Sequence, residues 1–525
     1  MISRSAFHKT VATELAYKTY APFLRALHKA SPNAEVYLVG GAVRDFLMKR
    51  PTKDLDFVVR NISLSRLIAT LRPLGKTNLV GKKFGVIKFT PKNAAADSEA
   101  IDIALPREEY SVGNTGHYRD FAITFDATIA IDADLSRRDF TMNAIAYNVA
   151  TCELVDPFGG CADIAARTIR AVGAPQRRFE EDYSRMMRAL RFACSLDFAL
   201  EQKTARAIKN LSHHLNDIVA LPESIDASGD PLRAIPVETI AREWIKAFVA
   251  HPVKAFDLFD TYGIFATLCP EFLAMKKVPQ PKEWHAEGDV WTHTHLALES
   301  LSSGAFKKEF GTETPSAELI IATLFHDIGK PPTLKTPKKD GTDRIRFDGH
   351  DRVGAAIARR VLEALRFSAV PGFTVDPDRI HWLVAHHLIA LTGDVAHMKA
   401  ITLEKYFFNE TVPGDTLLRL MVADALGCAR KDGGSTLGTY CALKKRIAAL
   451  APLVKNRRVL PKVLITGDDC IRTLGLAPGR IIGFVLEHVR EAQLSHTIKT
   501  KRQAILYAKS IAKNFHDPAG DEHSS

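Results

Sequence analysis

Between residues 8 and 30 apolar side chains recur at helical spacing, and Glu35 to Val39 (EVYLV) then reads as a short strand running into Gly40-Gly41. A second strand is predicted over Asp54 to Val59 (DLDFVV), with further β-like pieces at 79–89, 101–105, 121–131 and 144–155. From about Phe179 onward the hydrophobic period becomes helical and stays so, broken by Pro- or Gly-bearing loops near 222–236, 270–290, 331–349 and 371–377. The pattern predicts an α+β chain: a head with a small mixed sheet, followed by a long all-α body.

The head carries the strongest chemical signal, LVGGAVRDFLMKRPTKDLDFVV. Gly40 and Gly41 stand where a strand gives way to a helix, a geometry that lets backbone N–H groups approach a phosphate. Asp54 and Asp56 are two apart on the predicted strand, so their carboxylates share a face, and two carboxylates so placed can hold Mg²⁺ for in-line nucleotidyl transfer. Alone, a GG pair is usually a turn and an exposed D-x-D is usually solvated. A second cluster adds to them: RRDFTMNA at 137–144, and EEDYSRMMRALR at 180–191. On one predicted helix Asp182 and Arg185 are i and i+3, with Arg188 and Arg191 near the same stripe. An Asp accepts from an exocyclic amine and an Arg donates to the neighbouring ring acceptors. Cytosine and adenine both present an amine beside an acceptor, so such a pair would select CTP and ATP without a template.

These motifs, in this order over about residues 33 to 215, resemble those of the class II CCA-adding tRNA nucleotidyltransferases, with bacterial poly(A) polymerase as sister. The resemblance implies that Asp54 and Asp56 hold the catalytic Mg²⁺ and that Asp182 and Arg185 read the base. It places Arg138 and Asp139 on the nucleotide's phosphates and ribose, and extends the nucleotide site to Gly40, Gly41, Arg44, Asn143, Arg188 and Arg191. Asp102 is a second-tier carboxylate. The 34 residues between Asp102 and Arg137, including Arg107, Glu108 and Tyr110, resemble the flexible loop used in switching from C to A addition, which favours full CCA addition. Val80-Gly81-Lys82-Lys83-Phe84 instead partly resembles a basic stretch of poly(A) polymerases. Poly(A), A-only and CC-only addition share the same carboxylates and stay open, as does a phosphohydrolase whose head merely binds nucleotide.

In the body the 19 histidines cluster: WTHTH at 291–295, HDIGK at 326–330, Gly349-His350 and His386-His387, with Asp424 beyond. An adjacent His326-Asp327 inside an apolar helix is costly to bury without a metal or partner. Imidazole with carboxylate suits Mn²⁺, Ni²⁺, Mg²⁺ or Fe²⁺. The order resembles the HD superfamily of metal-dependent phosphohydrolases over about 285–430. By that resemblance His293, His326, Asp327 and Asp424 ligate a metal, with His293 preferred to His295. His350 and His386 or His387 then bind a second ion or the phosphate, for phosphatase or cyclic phosphodiesterase chemistry.

Composition narrows the picture further. The 525 residues are 46% hydrophobic and 25% charged, which suits several globular domains. Seven cysteines, an odd number without close pairing, argue against a disulfide scaffold. No apolar run approaches a membrane span and the N-terminus lacks a compact apolar core, so a soluble, cytoplasmic protein is expected. The net charge of +11 resolves into +4 over 167–191 and +8 over 455–515 on a nearly neutral remainder. The second patch is expected to grip tRNA through Arg457, Arg458, Arg480, Lys501 and Arg502, and it resembles the C-terminal arm of HD-containing CCA enzymes. The expected order is an N-terminal helix (1–30), a nucleotidyltransferase head (31–170), a helical neck (171–284), an HD domain (285–430) and a basic helical arm (431–525). Monomer and homodimer are both compatible with it.

Overall fold

The computed structural model describes residues 4–15, 20–52, 54–80, 85–92, 100–111, 121–218, 233–392, 395, 398–454, 462–494 and 497–513. The chain divides into two units, Met1–Ala274 with Val361–Thr374, and Met275–Arg360 with Val375–Ser525. Residues 361–374, inside the range read as the HD domain, thus group with the first unit.

The first unit is built on a seven-stranded mixed sheet of order β3-β4-β5-β2-β1-β8-β9. Its strands are β1 (Glu35–Val39), β2 (Asp56–Arg60), β3 (Gly75–Val80), β4 (Val86–Pro91), β5 (Ile101–Ala104), β8 (Ala146–Asn148) and β9 (Leu154–Val155). Two more, β6 (Arg107–Ser111) and β7 (Phe121–Phe125), pair antiparallel as a separate hairpin. Period-2 alternation sorts the faces of the sheet. Tyr37, Val39 and Val58 pack with Ile131, Leu135, Ala144, Ala146 and Val172 on one side. Phe57 meets Phe23 edge-on from the other, at 5.3 Å between ring centroids. Asp56, two residues before Val58, therefore emerges at the end of the first apolar face.

β2 starts at Asp56, so Asp54 lies just before the strand rather than on it. The segment 180–191 is likewise not one helix: Pro175–Glu181 ends, Asp182 is extended (φ −158°, ψ 101°), and a new helix runs over Ser184–Leu196. The loop expected between Asp102 and Arg137 carries the β6–β7 hairpin, while 112–120, like Gly81-Lys82-Lys83-Phe84, lie outside the described residues. Behind the head, helix Ser184–Leu196 packs on Val237–Ala250, whose buried Trp244 is ringed by Phe248, Phe259, Phe265 and Phe367.

The second unit is helical. Helices Val290–Ser300, Ala317–Phe325, Pro377–His386 and Gly414–Gly427, with the start of His350–Ala364, surround a histidine cluster. A Cβ on Gly427 would lie 2.8 Å from the backbone nitrogen of Ala297, so a side chain there would push the two helices apart. Further along, helices Gly467–Leu474, Arg480–Leu494 and Lys501–Ala512 share a small core around Ile465, Cys470, Val485 and Val489.

Candidate active site and candidate metal centre

A cavity of about 650 Å³ opens in the first unit. Gly40, Gly41, Arg44, Asp54, Asp56, Arg138, Asp139, Asn143, Asp182, Arg185, Arg188 and Arg191 all line it, joined by Arg107, Arg137, Glu181 and Phe192. Residues as far apart in the chain as Gly40 and Phe192 thus meet around one space.

The floor is carboxylate. Asp102 on β5 stands opposite Asp56 in register, and Lys88 holds Asp102 at 3.0 Å. Burial and the neighbouring Asp54 charge push the Asp56 carboxyl up to about 6, against the pull of Arg138. Crowded carboxylates whose charges resist coexisting are the arrangement a divalent cation relieves. Gly40 has a left-handed backbone (φ +72°), and a Cβ there would sit 2.9 Å from Arg138 Nη1, so glycine keeps floor and wall in contact range.

The wall is guanidinium, and each arginine is already held. Arg44 donates to Asp45 (2.9 Å) and to the Asn143 side-chain oxygen (2.7 Å). Fully buried Asp134 receives Arg137 at 2.6 Å and Arg138 at 3.3 Å. Arg188 donates twice to Asp139, at 2.9 and 2.7 Å, and Arg191 pairs with buried Glu243. Burial alone would raise the Asp139 carboxyl, yet Arg188 and Asn143 overcome it and hold it at about 2. Asp139 also accepts from the Phe140 N–H (2.8 Å) and the Asn143 amide (3.0 Å). Both its oxygens are engaged, so it serves as the clasp between the head and helix Ser184–Leu196.

Asp182 and Arg185 line one edge of the cavity. Asp182 accepts the Ser184 N–H at 2.9 Å, and Arg185 Nε stands 3.9 Å from the Asp182 carboxylate, too far for a tight pair. Arg185 is instead aimed by Glu181 (2.7 Å) and by the carbonyls of Arg178 (3.0 Å) and Arg137 (3.3 Å). Glu181 and Asp134 are the positioning groups that motif reading passed over. Asp134 had a signal in its acidic position three and four residues before the two arginines. Phe192 had none beyond its place in the helix, where its ring lies 3.8 Å beneath the Arg191 guanidinium.

The second unit gathers His293, His326 and Asp424 in one set of potential ligand atoms, and Asp327, His350 and His387 in another. The apolar helix ends at Phe325, so His326-Asp327 occupy the turn that follows it, a correction to the helical placement. His293 Nε2 lies 2.9 Å from Asp424 and 3.2 Å from His326 Nε2. His326, His350 and His387 each set Nδ1 against a backbone carbonyl, of Thr323 (2.8 Å), Phe347 (2.8 Å) and Val384 (2.7 Å). A carbonyl only accepts, so each Nδ1 carries a proton and each Nε2 is directed inward. The Nε2 atoms of His350 and His387 are buried without a hydrogen bond and face Asp327 at 3.5 and 3.7 Å. Lone pairs turned on a carboxylate fit a cation between them. Burial pushes His350 down to about 4, which keeps it neutral and able to ligate. Of the two adjacent histidines, His387 joins the cluster; His386 bonds the Trp382 carbonyl (2.7 Å) and packs on Trp382 and Tyr406.

In the arm, Lys501 and Arg502 are exposed at the start of their helix, with Lys501 2.6 Å from Asp469. Arg480 opens helix Arg480–Leu494, while Arg457 and Arg458 lie outside the described residues. The seven cysteines are unpaired, and among the described residues no helix is long and apolar enough to cross a membrane.

Comparison with known proteins places two family models on the chain, the poly A polymerase head domain over residues 36–170 and the HD domain over 292–426. An A-adding tRNA nucleotidyltransferase of Deinococcus radiodurans is 31% identical over 387 residues, 73% of this chain and 80% of that one. A multifunctional CCA protein of Nitrosococcus oceani is 32% identical over 353 residues, 67% and 75% of the two chains. Among solved structures, the Bacillus stearothermophilus CCA-adding enzyme in complex with CTP superposes with a TM-score of 0.55 at 22% identity, covering 94% of this chain and 96% of that one. The Thermotoga maritima CCA-adding enzyme complexed with tRNA does so at 0.51 and 19%, covering 96% and 98%. At those identities the likeness is one of fold.

Proposed function

Because the chain belongs to the family of tRNA nucleotidyltransferases with a poly(A) polymerase head, here joined to an HD domain, we propose that it adds C, C and A to tRNA 3′ ends from CTP and ATP without a template. One observation carries this reading: the carboxylates, the arginine wall and the Asp182–Arg185 edge line a single cavity. Asp54 and Asp56 would hold Mg²⁺, which when bound favours ionisation of the terminal 3′-hydroxyl and offsets charge on the departing pyrophosphate. Arg138 and its neighbours grip the triphosphate, with Arg44 and Asn143 fixing the approach from the Gly40-Gly41 turn. Asp182 accepts the exocyclic amine of cytosine or adenine while Arg185 donates to the adjacent ring acceptor, and guanine and uracil offer a carbonyl where Asp182 needs a donor.

The relatives named multifunctional CCA proteins support full CCA addition, and the one named for A addition supports A-only as the rival. Incubation with tRNA transcripts ending before CCA, after CC and after CCA, plus an unstructured RNA, followed by 3′-end sequencing, decides between them. Incorporation of A alone onto the CC-ended transcript would favour the rival, and long A tails on the unstructured RNA would favour poly(A) synthesis. Asp54→Ala should abolish incorporation; retained incorporation overturns the assignment of the head.

The histidine cluster is proposed to hold a divalent ion and to hydrolyse phosphoesters, with His293, His326, Asp327 and Asp424 as ligands and His350 and His387 toward a second ion or the phosphate. The Lys501–Arg502 end of the arm is proposed to contact tRNA backbone; replacing both should weaken binding and flatten its salt dependence.

A further inference from the structure

Of the four imidazoles in the histidine cluster, three give their Nδ1 proton to a neutral backbone carbonyl. His293 differs, because its Nδ1 faces Glu287 Oε1 at 3.1 Å. We propose that Glu287 is a positioning residue of the HD centre: its carboxylate holds the Nδ1 proton of His293, turns Nε2 toward the ligand set, and makes that imidazole a stronger donor than its neighbours. The proposal rests on the reading of the cluster as a divalent metal centre.

Three observations converge on Glu287. Its side chain is only 3% exposed, although it sits in the loop before helix Val290–Ser300. Its other oxygen accepts the Ala429 N–H at 2.8 Å, and Ala429 lies just past Cys428, the C-cap of the helix that bears Asp424. The Ala286 N–H in turn donates to the Ala429 carbonyl at 2.7 Å. One carboxylate therefore ties the loop before the His293 helix to the end of the Asp424 helix, and the metal-facing atoms of those two residues stand 2.9 Å apart. A carboxylate on the remote nitrogen of a metal-bound histidine fixes its tautomer and raises its basicity, and the loss of such a partner costs about 10- to 100-fold in metal affinity.

His285 and Cys428 crowd the same carboxylate. His285 Nδ1 lies 2.7 Å from Glu287 Oε1, and Cys428 Sγ lies 3.8 Å from His285 Nδ1 and 3.9 Å from His293 Nδ1. Two nitrogens, an oxygen and a sulfur could by type hold an ion of their own. The hydrogen bonds account for the geometry without one, because Glu287 Oε1 takes both imidazole protons and Oε2 takes a backbone N–H. His285 is thus a competitor for Oε1, which sets up an opposite prediction for its removal.

The test is calorimetric titration of Ni²⁺ into chelator-stripped full-length protein, with His326→Ala identifying the isotherm of the HD centre. Glu287→Gln should weaken that isotherm by about 10- to 100-fold with CTP incorporation by the head unchanged. In the Co²⁺-loaded protein, one exchangeable shifted imidazole N–H resonance should broaden in Glu287→Gln relative to wild type. His285→Ala, which leaves Oε1 to His293, should bind Ni²⁺ as tightly as wild type or more so, and it carries the test should Glu287→Gln not accumulate folded. The proposal is overturned by a Glu287→Gln affinity within about twofold of wild type, or by His285→Ala weakening binding tenfold. A second tight Ni²⁺ lost in both Glu287→Gln and Cys428→Ser would make the cluster an ion site and overturn it too. Ni²⁺ binding untouched by His326→Ala removes the reading of the centre itself, an outcome distinct from failure of Glu287 alone.

Discussion

Asp56→Asn should stabilise the chelated protein while destroying nucleotidyl transfer. The Asp56 carboxyl is carried from an ordinary 3.8 to about 6 by burial and by the Asp54 charge. At roughly 1.4 kcal/mol per tenfold, that displacement is about 3 kcal/mol, an upper limit because the cavity is open to solvent. The sign follows from linkage: the folded state binds the proton more tightly than the unfolded chain, so stability is lost as pH rises from about 4 through 6. At pH 8 in chelator the wild type bears the full penalty, and Asn, which has no charge to desolvate, does not. A gain of about 2 kcal/mol corresponds to roughly 5 °C in the unfolding midpoint of a unit of this size. Thermal unfolding at pH 8 and pH 4.5, with chelator and with Mg²⁺, reads it out. The variant should be the more stable at pH 8 in chelator, the gain should shrink at pH 4.5, and Mg²⁺ should raise the midpoint of the wild type more than that of the variant. A variant no more stable than wild type at pH 8 would refute the electrostatic account of the site.

Arg188→Met should cost about 3 kcal/mol or more, because it leaves Asp139 buried without its main partner, and urea unfolding at neutral pH measures it. The contribution of Asp139, whose carboxyl is held at about 2, should be present above pH 4 and vanish as pH falls through 2. Gly40→Ala should reduce incorporation at least tenfold with circular dichroism unchanged, since a Cβ at φ +72° meets Arg138 at 2.9 Å. Asp134→Asn should raise KM for CTP and ATP by a similar factor of about ten, because it loosens Arg137 and Arg138, on the wall proposed to grip the triphosphate. Asp182→Ala should instead change the ratio of correct to incorrect bases incorporated, as scored by 3′-end sequencing with all four nucleotides.

What the sequence makes legible here is chemistry tied to spacing. Gly40-Gly41 after EVYLV and the RRD run point to a nucleotide site and the Asp54-x-Asp56 pair to a metal, and all reach the same cavity. Local periodicity misplaced features at its margins, two of them in the head. Asp56 begins β2 because only from there does the chain pair with β1 and β5. The helix expected through 180–191 breaks at Asp182, whose carboxylate takes the Ser184 N–H, a local bond that competes with helix. Glu287 and Glu243 were invisible for another reason. An isolated acid on a loop or an amphipathic helix has the pattern of a solvated residue, and only tertiary packing brings it to His293 or Arg191.

The arginine wall explains why so much cationic charge can line one cavity without the head repelling itself. Arg44, Arg137, Arg138, Arg188 and Arg191 each spend part of their five donors on a neighbouring acid or amide, on Asp45, Asn143, Asp134, Asp139 or Glu243. Those bonds lower the cost of packing like charges and fix each guanidinium plane before any anion arrives. Arg185 is the exception in kind: it is aimed by Glu181 and by two backbone carbonyls, and it stands 3.9 Å from Asp182. Were that last pair closed, fewer of the Asp182 acceptor sites would be left for a base. On the proposed function, grip and reading are therefore separated: neighbouring acids hold the arginines assigned to the phosphates, while Asp182 and Arg185, assigned to the base, are kept apart.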